Sequence, residues 1–356
     1  MTPITPDPSR PSMRAAVYRR FGDPEVVEVV DVPRPRPRRG EVLIRVAAST
    51  VSMADYRARS KDVPPGLALL SSVTLGFRAP RIRTLGMDAA GVVEEVGEGV
   101  DAFRPGDEVL AMLGAAFGGH AEYATIAADG PIVRKSRNLS FEEAAALVFG
   151  GITAQAFLRQ AEIRPGSRVL VNGASGAVGS AAVQLAKEAG AQVTAVCSAR
   201  NIDLARTLGA DRVIDYAAVD FAAEGVEYDV ILDAVGNAPF QRSESLLRPG
   251  GALLLVVTDL AGVLKARSRT RSSGKRVITG TGRYEAEDLA FLVRLAEEGR
   301  LRPLVEGIYG LDDIVAAHRF VDGGRKRGSV VVRIGSPIAP TSSTHTESSA
   351  TEGHIK

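Results

Sequence analysis

The chain has one cysteine, Cys197, and no tryptophan in 356 residues. A single thiol closes no intramolecular disulfide and cannot build a zinc site that needs several thiolates, so a reducing compartment, the cytoplasm, is the expected setting. Cys197 ends an apolar run and is expected in the core rather than as a nucleophile. Histidine is scarce as well: His120 and His318 stand alone, and His345 and His354 fall near the end. No unbroken run of about 18 apolar residues occurs, so no membrane span is expected. A surplus of one charge is also missing. The 44 Lys and Arg against 42 Asp and Glu leave +2, which favours neither nucleic acid nor a membrane as partner. Met1 to Ser12 is proline-rich without the apolar segment of a secretory signal, and Ser336 to Lys356 is rich in Ser and Thr without an apolar face; 1–12 and 336–356 are expected as disordered tails.

Between these ends the pattern changes once. Arg14–Tyr18, Val26–Val32, Glu41–Ala48, Gly91–Val96 and Glu108–Met112 are short strand-like segments separated by Pro, Gly and Asp turns. From Phe141 onward helices and strands alternate: strands at Arg168–Asn172, Gln192–Cys197, Arg212–Asp215, Tyr228–Asp233 and Gly251–Val257, with helices at Ala177–Ala189, Ile202–Leu208 and near Phe240–Leu247. Such alternation predicts a doubly wound parallel sheet, an α/β fold. A helix at Glu285–Glu298 follows, and Leu304–Ile308 and Ser329–Ile334 read as strands returning to the first unit.

The turn after Arg168–Asn172 carries the chemistry. Ala174, Ser175, Gly176, Ala177, Val178 and Gly179 fill a GxGxxG-like frame whose first glycine is replaced by Ala174. Ala174 and Gly176 are expected to turn the backbone tightly beneath a pyrophosphate, Gly179 to let helix and sheet pack closely, and the helix N-terminus to offer free N–H groups to the anion. The segment is therefore read as a dinucleotide site. Beyond Gln192–Cys197, where a carboxylate would accept from ribose hydroxyls and repel a 2′-phosphate, stand Ser198, Arg200 and Asn201. A guanidinium matches a phosphate in charge and donor geometry, so NADPH is expected rather than NADH.

A series of motifs then resembles the medium-chain dehydrogenase/reductase superfamily, in its zinc-free quinone oxidoreductase branch, over about Met13 to Ile334. It runs through Ala15-Ala16-Val17-Tyr18, Phe21-Gly22-Asp23-Pro24-Glu25-Val26, Gly40-Glu41-Val42-Leu43-Ile44, Gly86-Met87-Asp88-Ala89-Ala90-Gly91, Phe103 to Val109, the glycine turn, Leu208 to Tyr216, and Tyr228 to Gly236. The resemblance implies a GroES-like β-rich catalytic domain over 13–145 and 300–335, a Rossmann domain over 146–299, a cleft between them for the nicotinamide, and a homodimer joined near Val277–Gly282. It also implies that Thr153 lies beside the nicotinamide, that Tyr216, with Arg325 or Lys326 further off, lies near the adenosine phosphate, and that Gly236 belongs to the cofactor site.

Zinc-dependent members of that superfamily supply a Cys, a His and a later Cys to the metal. Here Ser52 precedes Asp55, Met87 and Asp88 fill the His-Glu place, and no cysteine stands near Phe149, so no zinc is expected. Without a Lewis acid, hydride transfer to a quinone, enone or enal is more feasible than alcohol oxidation, because the charge spreads into an enolate or hydroquinone anion that hydrogen-bond donors can hold. Ser52 as a donor to the acceptor oxygen and Tyr56 as a proton source are the catalytic candidates. Asp55 is read as anchoring its loop, and Asp88 as pairing with a nearby cation. Val63 to Arg83 is either an apolar lid or a helix pair packed on the domain, and the basic run Lys265 to Arg276 is a solvated loop. The rival to a reductase is an NADPH-binding protein without catalysis, used for regulation or partner contact.

Overall fold

A computed structural model describes residues 11–280 and 282–335. Most of the first expected tail and all of the second lie outside them; Ser12 already belongs to a strand.

The N-terminal half comprises β1 (Ser12–Tyr18), β2 (Val27–Pro33), β3 (Glu41–Val51), α1 (Met53–Ser60), α2 (Ala68–Leu75), β4 (Asp88–Val96), β5 (Glu108–Met112), β6 (Tyr123–Ala127) and β7 (Ile132–Arg134). The Rossmann half comprises α3 (Phe141–Leu158), β8 (Arg168–Asn172), α4 (Ala177–Glu188), β9 (Gln192–Cys197), α5 (Ile202–Thr207), β10 (Arg212–Asp215), β11 (Tyr228–Asp233), α6 (Phe240–Ser243), β12 (Leu247–Leu255), α7 (Leu260–Ser273), β13 (Arg276–Thr279) and α8 (Ala286–Glu297). The chain then returns through β14 (Val305–Gly310), α9 (Ile314–Asp322) and β15 (Ser329–Arg333).

The described strands β10-β9-β8-β11-β12-β13 form one sheet in that order, and every pairing in it is parallel. Strand order reverses at β8 and β11, so their carboxyl ends open a crevice where a dinucleotide can lie. The second large sheet runs β14-β15-β3-β4-β5-β7, with β6 also on β3; β15 pairs antiparallel with β3, which fastens the returning chain to the GroES-like sheet.

Helix α3 sits between the sheets. Ser140 and Glu143 form a reciprocal capping box at its start. Its Leu147, Val148, Ile152 and Phe157 join a core that includes Ala90 and Leu110 of one sheet and Val169 and Val171 of the other. Each such side chain contributes about 2 kcal/mol of burial, so the two halves share one apolar centre. At 18 residues α3 is long and apolar enough to cross a bilayer by length and composition, a property the sequence reading missed, but 72% of it is buried within the protein.

Two expectations change. The basic run Lys265–Arg276 is mostly helix: Asp259 caps α7 by accepting from the Gly262 amide at 2.6 Å, and only Gly262 and Ala266 of α7 are buried, so Lys265, Arg267, Arg269 and Arg271 stand on a largely solvated helical face, while Arg276 opens β13 and donates to the Gln160 and Ala161 carbonyls. Val63–Arg83 holds one helix, α2, with no buried residue, and a bond from the Leu260 amide to the Pro65 carbonyl at 3.1 Å ties the segment to the start of α7.

Candidate active site

A cleft of about 890 Å³ opens at the carboxyl ends of the parallel strands, walled on its other side by α1 and Met87. Its floor is the glycine turn. Gly173 has φ +82°, so the left-handed turn falls one residue before the GxGxxG frame begins; Ala174 is fully buried and does not line the cleft. Gly176 has an ordinary φ of −77° and N-caps α4 without a side chain to satisfy the first amides. A Cβ on Gly179 would stand 2.1 Å from the Gly173 carbonyl oxygen, which is why this position admits no side chain. Ser175, Gly176, Ala177, Val178 and Gly179 all line the cleft, so uncapped amides face an open volume sized for an extended ligand.

At the β9 and β10 end the wall holds Ser198, Arg200, Asn201, Tyr216, Gly324, Arg325 and Lys326. Asn201 ties the loop together by donating to Ser175 Oγ at 2.9 Å and to Ser198 Oγ at 3.2 Å. The 324–328 loop docks on the glycine turn, the Gly328 amide donating to the Ser175 carbonyl at 2.8 Å. It brings the Arg325 carbonyl to the Arg200 guanidinium. Lys326 Nζ donates to the Gly328 carbonyl at 2.6 Å, and burial pushes its pKa down to about 8 against the opposing pull of Glu306. The strand-end thiol Cys197 is pushed up to about 11 by burial and by Asp215, which makes it a wall residue rather than a nucleophile. Gly236 does not line the cleft; its amide donates to buried Asp233, which also accepts from Val235, Ala238 and Asn172 and so shapes the loop whose Val235 and Asn237 do.

At the β12 and β13 end the wall holds Val256, Tyr284 and, beside Tyr284, Thr153 of α3; Phe149 and Phe157 of α3, Met53, Ala54 and Arg57 of α1, and Met87 also line the cleft. Thr153 Oγ1 and Tyr284 Oη are 3.4 Å apart. Arg159 holds Glu285 at 2.8 Å, fixing the residue after Tyr284. Sequence reasoning missed Tyr284 and Arg57. Nothing local marks Tyr284, which follows a strand in a plain loop; Arg57 was legible only through the register of α1.

That register corrects both catalytic candidates. Ser52 N-caps α1: its Oγ donates to Asp55 Oδ2 at 2.5 Å and accepts from the Ala54 and Asp55 amides, with the side chain 3% exposed and outside the cleft wall. Asp55 also accepts from the Gly86 amide at 2.7 Å, so it anchors the loop. On the same face, one turn on, Arg59 is fully buried, donating to Asp322 at 2.5 Å and to the Gly22 carbonyl at 2.5 Å. With 55 and 59 fixed inward, the helical period turns Met53, Ala54 and Arg57 to the cleft and leaves Tyr56 outside it, its hydroxyl donating to Asp62 at 2.5 Å. That contact and burial raise the Tyr56 pKa, the wrong direction for a proton source.

Among the described residues Asp88 pairs with no cation. It is fully buried and accepts from Ser49 Oγ, the Thr50 amide and Thr50 Oγ1, and burial pushes it up to about 7. The histidines read as isolated are neighbours, His120 and His318 meeting edge to face at 5.8 Å within the core. Neither lines the cleft, and among the described residues no three of His, Cys, Asp and Glu gather as a metal site.

Comparison with known proteins agrees with this architecture. A family model described as alcohol dehydrogenase GroES-like domain matches residues 38–136, and one described as zinc-binding dehydrogenase matches 208–332. The quinone-oxidoreductase QR1 of Triphysaria versicolor is 33% identical over 333 residues, 90% of this chain and 98% of that protein. The 2-methylene-furan-3-one reductase of Solanum lycopersicum is 31% identical over 90% of this chain and 79% of its own length. The structure of the quinone oxidoreductase from Coxiella burnetii superposes with a TM-score of 0.82 at 30% identity, covering 91% of this chain and all of that one. By fold, motif order and these relatives, the chain belongs to the medium-chain dehydrogenase/reductase superfamily, in its quinone oxidoreductase-like branch, and is an oxidoreductase that uses a nicotinamide cofactor.

Proposed function

We propose that this protein is an NADPH-dependent, zinc-independent reductase of quinones and α,β-unsaturated carbonyl compounds. The observation that carries the reading is the charge of the cleft wall: Arg57, Arg200, Arg325 and Lys326 line it, and among the described residues no Asp or Glu does. A polyanionic dinucleotide fits such a wall, with its pyrophosphate at the amides of Ala177, Val178 and Gly179 and its 2′-phosphate among Ser198, Arg200, Tyr216 and Lys326. NADPH supplies the hydride; the protein supplies position, an apolar chamber and hydrogen-bond donors.

The donor set supports zinc independence. Ser52 is committed to Asp55, Met87 is a weak thioether donor, and Asp88 is held by three donors of its own while burial favours its neutral form. Hydride addition to an enone or quinone needs only a place for negative oxygen, which hydroxyl and guanidinium donors can provide. A homodimer through the outer edge of β13 and a cytoplasmic location complete the proposal.

Steady-state loss of NADPH absorbance with naphthoquinones, enones and enals tests the reading, before and after exhaustive treatment with a chelator. Turnover that survives the chelator is expected. Micromolar NADPH binding without turnover on any acceptor would leave a binding protein in place of an enzyme, and activity abolished by the chelator and restored by zinc would remove the metal-free mechanism.

A further inference from the structure

Resting on the reductase reading, we propose that Arg57 takes up the negative charge that forms on the acceptor oxygen as hydride arrives, which makes it a catalytic residue. Three observations meet at this side chain. It lines the same cleft as the Thr153 and Tyr284 hydroxyls and is carried by α1, whereas the other lining cations, Arg200, Arg325 and Lys326, stand on the loop after β9 and on the 324–328 loop that docks on the glycine turn. Its guanidinium finds no hydrogen-bond or ion-pair partner among the described residues. Arg59, two residues on, spends its donors on Asp322 and Gly22. The nearest carboxylate influence on Arg57 is Asp62, which acts only through space and accepts from the Tyr56 hydroxyl instead.

A fork of donors that is partly desolvated yet unused gains most from an anion. Burial lowers the Arg57 pKa from its ordinary value, a sign of lost hydration, although a guanidinium keeps its proton in any case. Its backbone is not free to swing away, because the capping box at Ser52 and the buried Arg59 anchor fix both ends of α1. A neutral carbonyl oxygen gains little from such a group, and an oxyanion gains much, so the contact strengthens as the transition state is approached.

The step balances simply. The hydride pair from NADPH forms a C–H bond at the electron-poor carbon, the C=C pair shifts toward the carbonyl, and the carbonyl π pair settles on oxygen facing Arg57. NADPH is oxidised to NADP+, the acceptor is reduced by two electrons, Arg57 keeps all its protons, and solvent water supplies the proton that completes the product. Acceptors whose reduction delivers negative charge onto a carbonyl oxygen, as in the enolate of an enone or enal and the hydroquinone anion of a quinone, are therefore the favoured class.

A phenol imitates this anion without any turnover. 4-Nitrophenol titrated into the protein with NADP+ present reports its ionisation by colour, and wild type is expected to favour the phenolate by about tenfold or more over bulk solution. Arg57→Met should abolish the shift and lower kcat on neutral enones and quinones roughly 100-fold to 1,000-fold, with NADPH affinity within about twofold of wild type as the sign of an intact fold. Arg57→Lys should retain part of both effects. An unchanged phenolate shift and kcat in Arg57→Met would overturn the proposal, as would a loss confined to NADPH affinity, which would assign Arg57 to the cofactor. An Arg57-dependent phenolate shift in a protein that reduces no acceptor would keep the anion site and sink the reductase reading; steady turnover that ignores Arg57 would do the reverse.

Discussion

At the β9 and β10 end of the cleft, Ser198, Arg200 and Tyr216 follow consecutive parallel strands and stand where a doubly wound sheet always directs its loops, whereas Arg57, Thr153 and Tyr284, which line the same cleft, come from three parts of the chain far apart in sequence. The first group is made by topology and local pattern. The second is made by docking: α1 is pinned by Arg59 to Asp322 near the end of the described chain, and Tyr284 is steadied by Arg159. One group can be read along the chain, the other only across it.

The largest expected effect comes from breaking the floor that both groups share. Gly179→Val places atoms within 2.1 Å of the Gly173 carbonyl and should destabilise the fold by about 3 kcal/mol while abolishing NADPH binding, read by thermal melting and fluorescence titration. A tolerated Gly179→Val would show that the turn is looser than its geometry. Next comes Arg200→Asp, which replaces the proposed 2′-phosphate partner by a charge that repels a phosphate. NADPH should weaken roughly 100-fold and NADH hardly at all. Equal losses for the two cofactors would detach Arg200 from the 2′-phosphate.

Lys326 gives a smaller effect with a sign that can be worked out. Burial has lowered its pKa to about 8, so the charged form grows as pH falls through that value, and a 2′-phosphate prefers the charged form. NADPH affinity should therefore decline by about tenfold as pH rises from below 8 to above it, with proton uptake on binding near pH 8, and Lys326→Met should flatten the curve. The same lysine taken alone makes the fold less stable at pH values below 8 than above it, because the unfolded chain holds the proton up to about pH 10.4. A flat NADPH profile in wild type would remove Lys326 from the phosphate site. Tyr284→Phe deletes one donor beside Thr153, about 1 kcal/mol, and should lower kcat about fivefold with NADPH affinity preserved; a loss in NADPH affinity instead would move this hydroxyl to the cofactor.

The contrast between the groups also accounts for what the sequence disclosed. Alternating strands and helices gave the parallel sheet, and the glycine frame gave the floor to within one residue, although Gly173 rather than Ala174 makes the left-handed turn and Gly176 keeps an ordinary φ. The loop after β9 was predictable because a strand end fixes where its next residues go. The part of the wall formed by α1 resisted for a physical reason. Around a helix each residue turns by about 100°, so choosing Ser52 and Tyr56 instead of Met53 and Arg57 rotates the choice onto faces that do not see the cleft. Only the inward placement of Asp55 and Arg59 sets that rotation, and both partners, the Gly86 amide and Asp322, lie far along the chain. His120 and His318 were misread for the same reason: 198 positions separate two rings that meet in the core.

Tyr56→Phe has the smallest expected effect and isolates this rotation. The variant removes only the hydroxyl that donates to Asp62 at 2.5 Å on the outer side of α1, leaving the ring and the helix in place. Stability should change by no more than about 0.5 kcal/mol and kcat by less than about twofold, since a surface contact with a solvated carboxylate contributes little and no lining group is touched. Asp62, released from the hydroxyl, stays outside the cleft wall, so the Arg57-dependent phenolate shift should persist in full. A large fall in kcat from this one oxygen, with NADPH binding and melting temperature intact, would mean that α1 turns during turnover and brings Tyr56 inward. That part of the wall would then be built by motion as well as by docking.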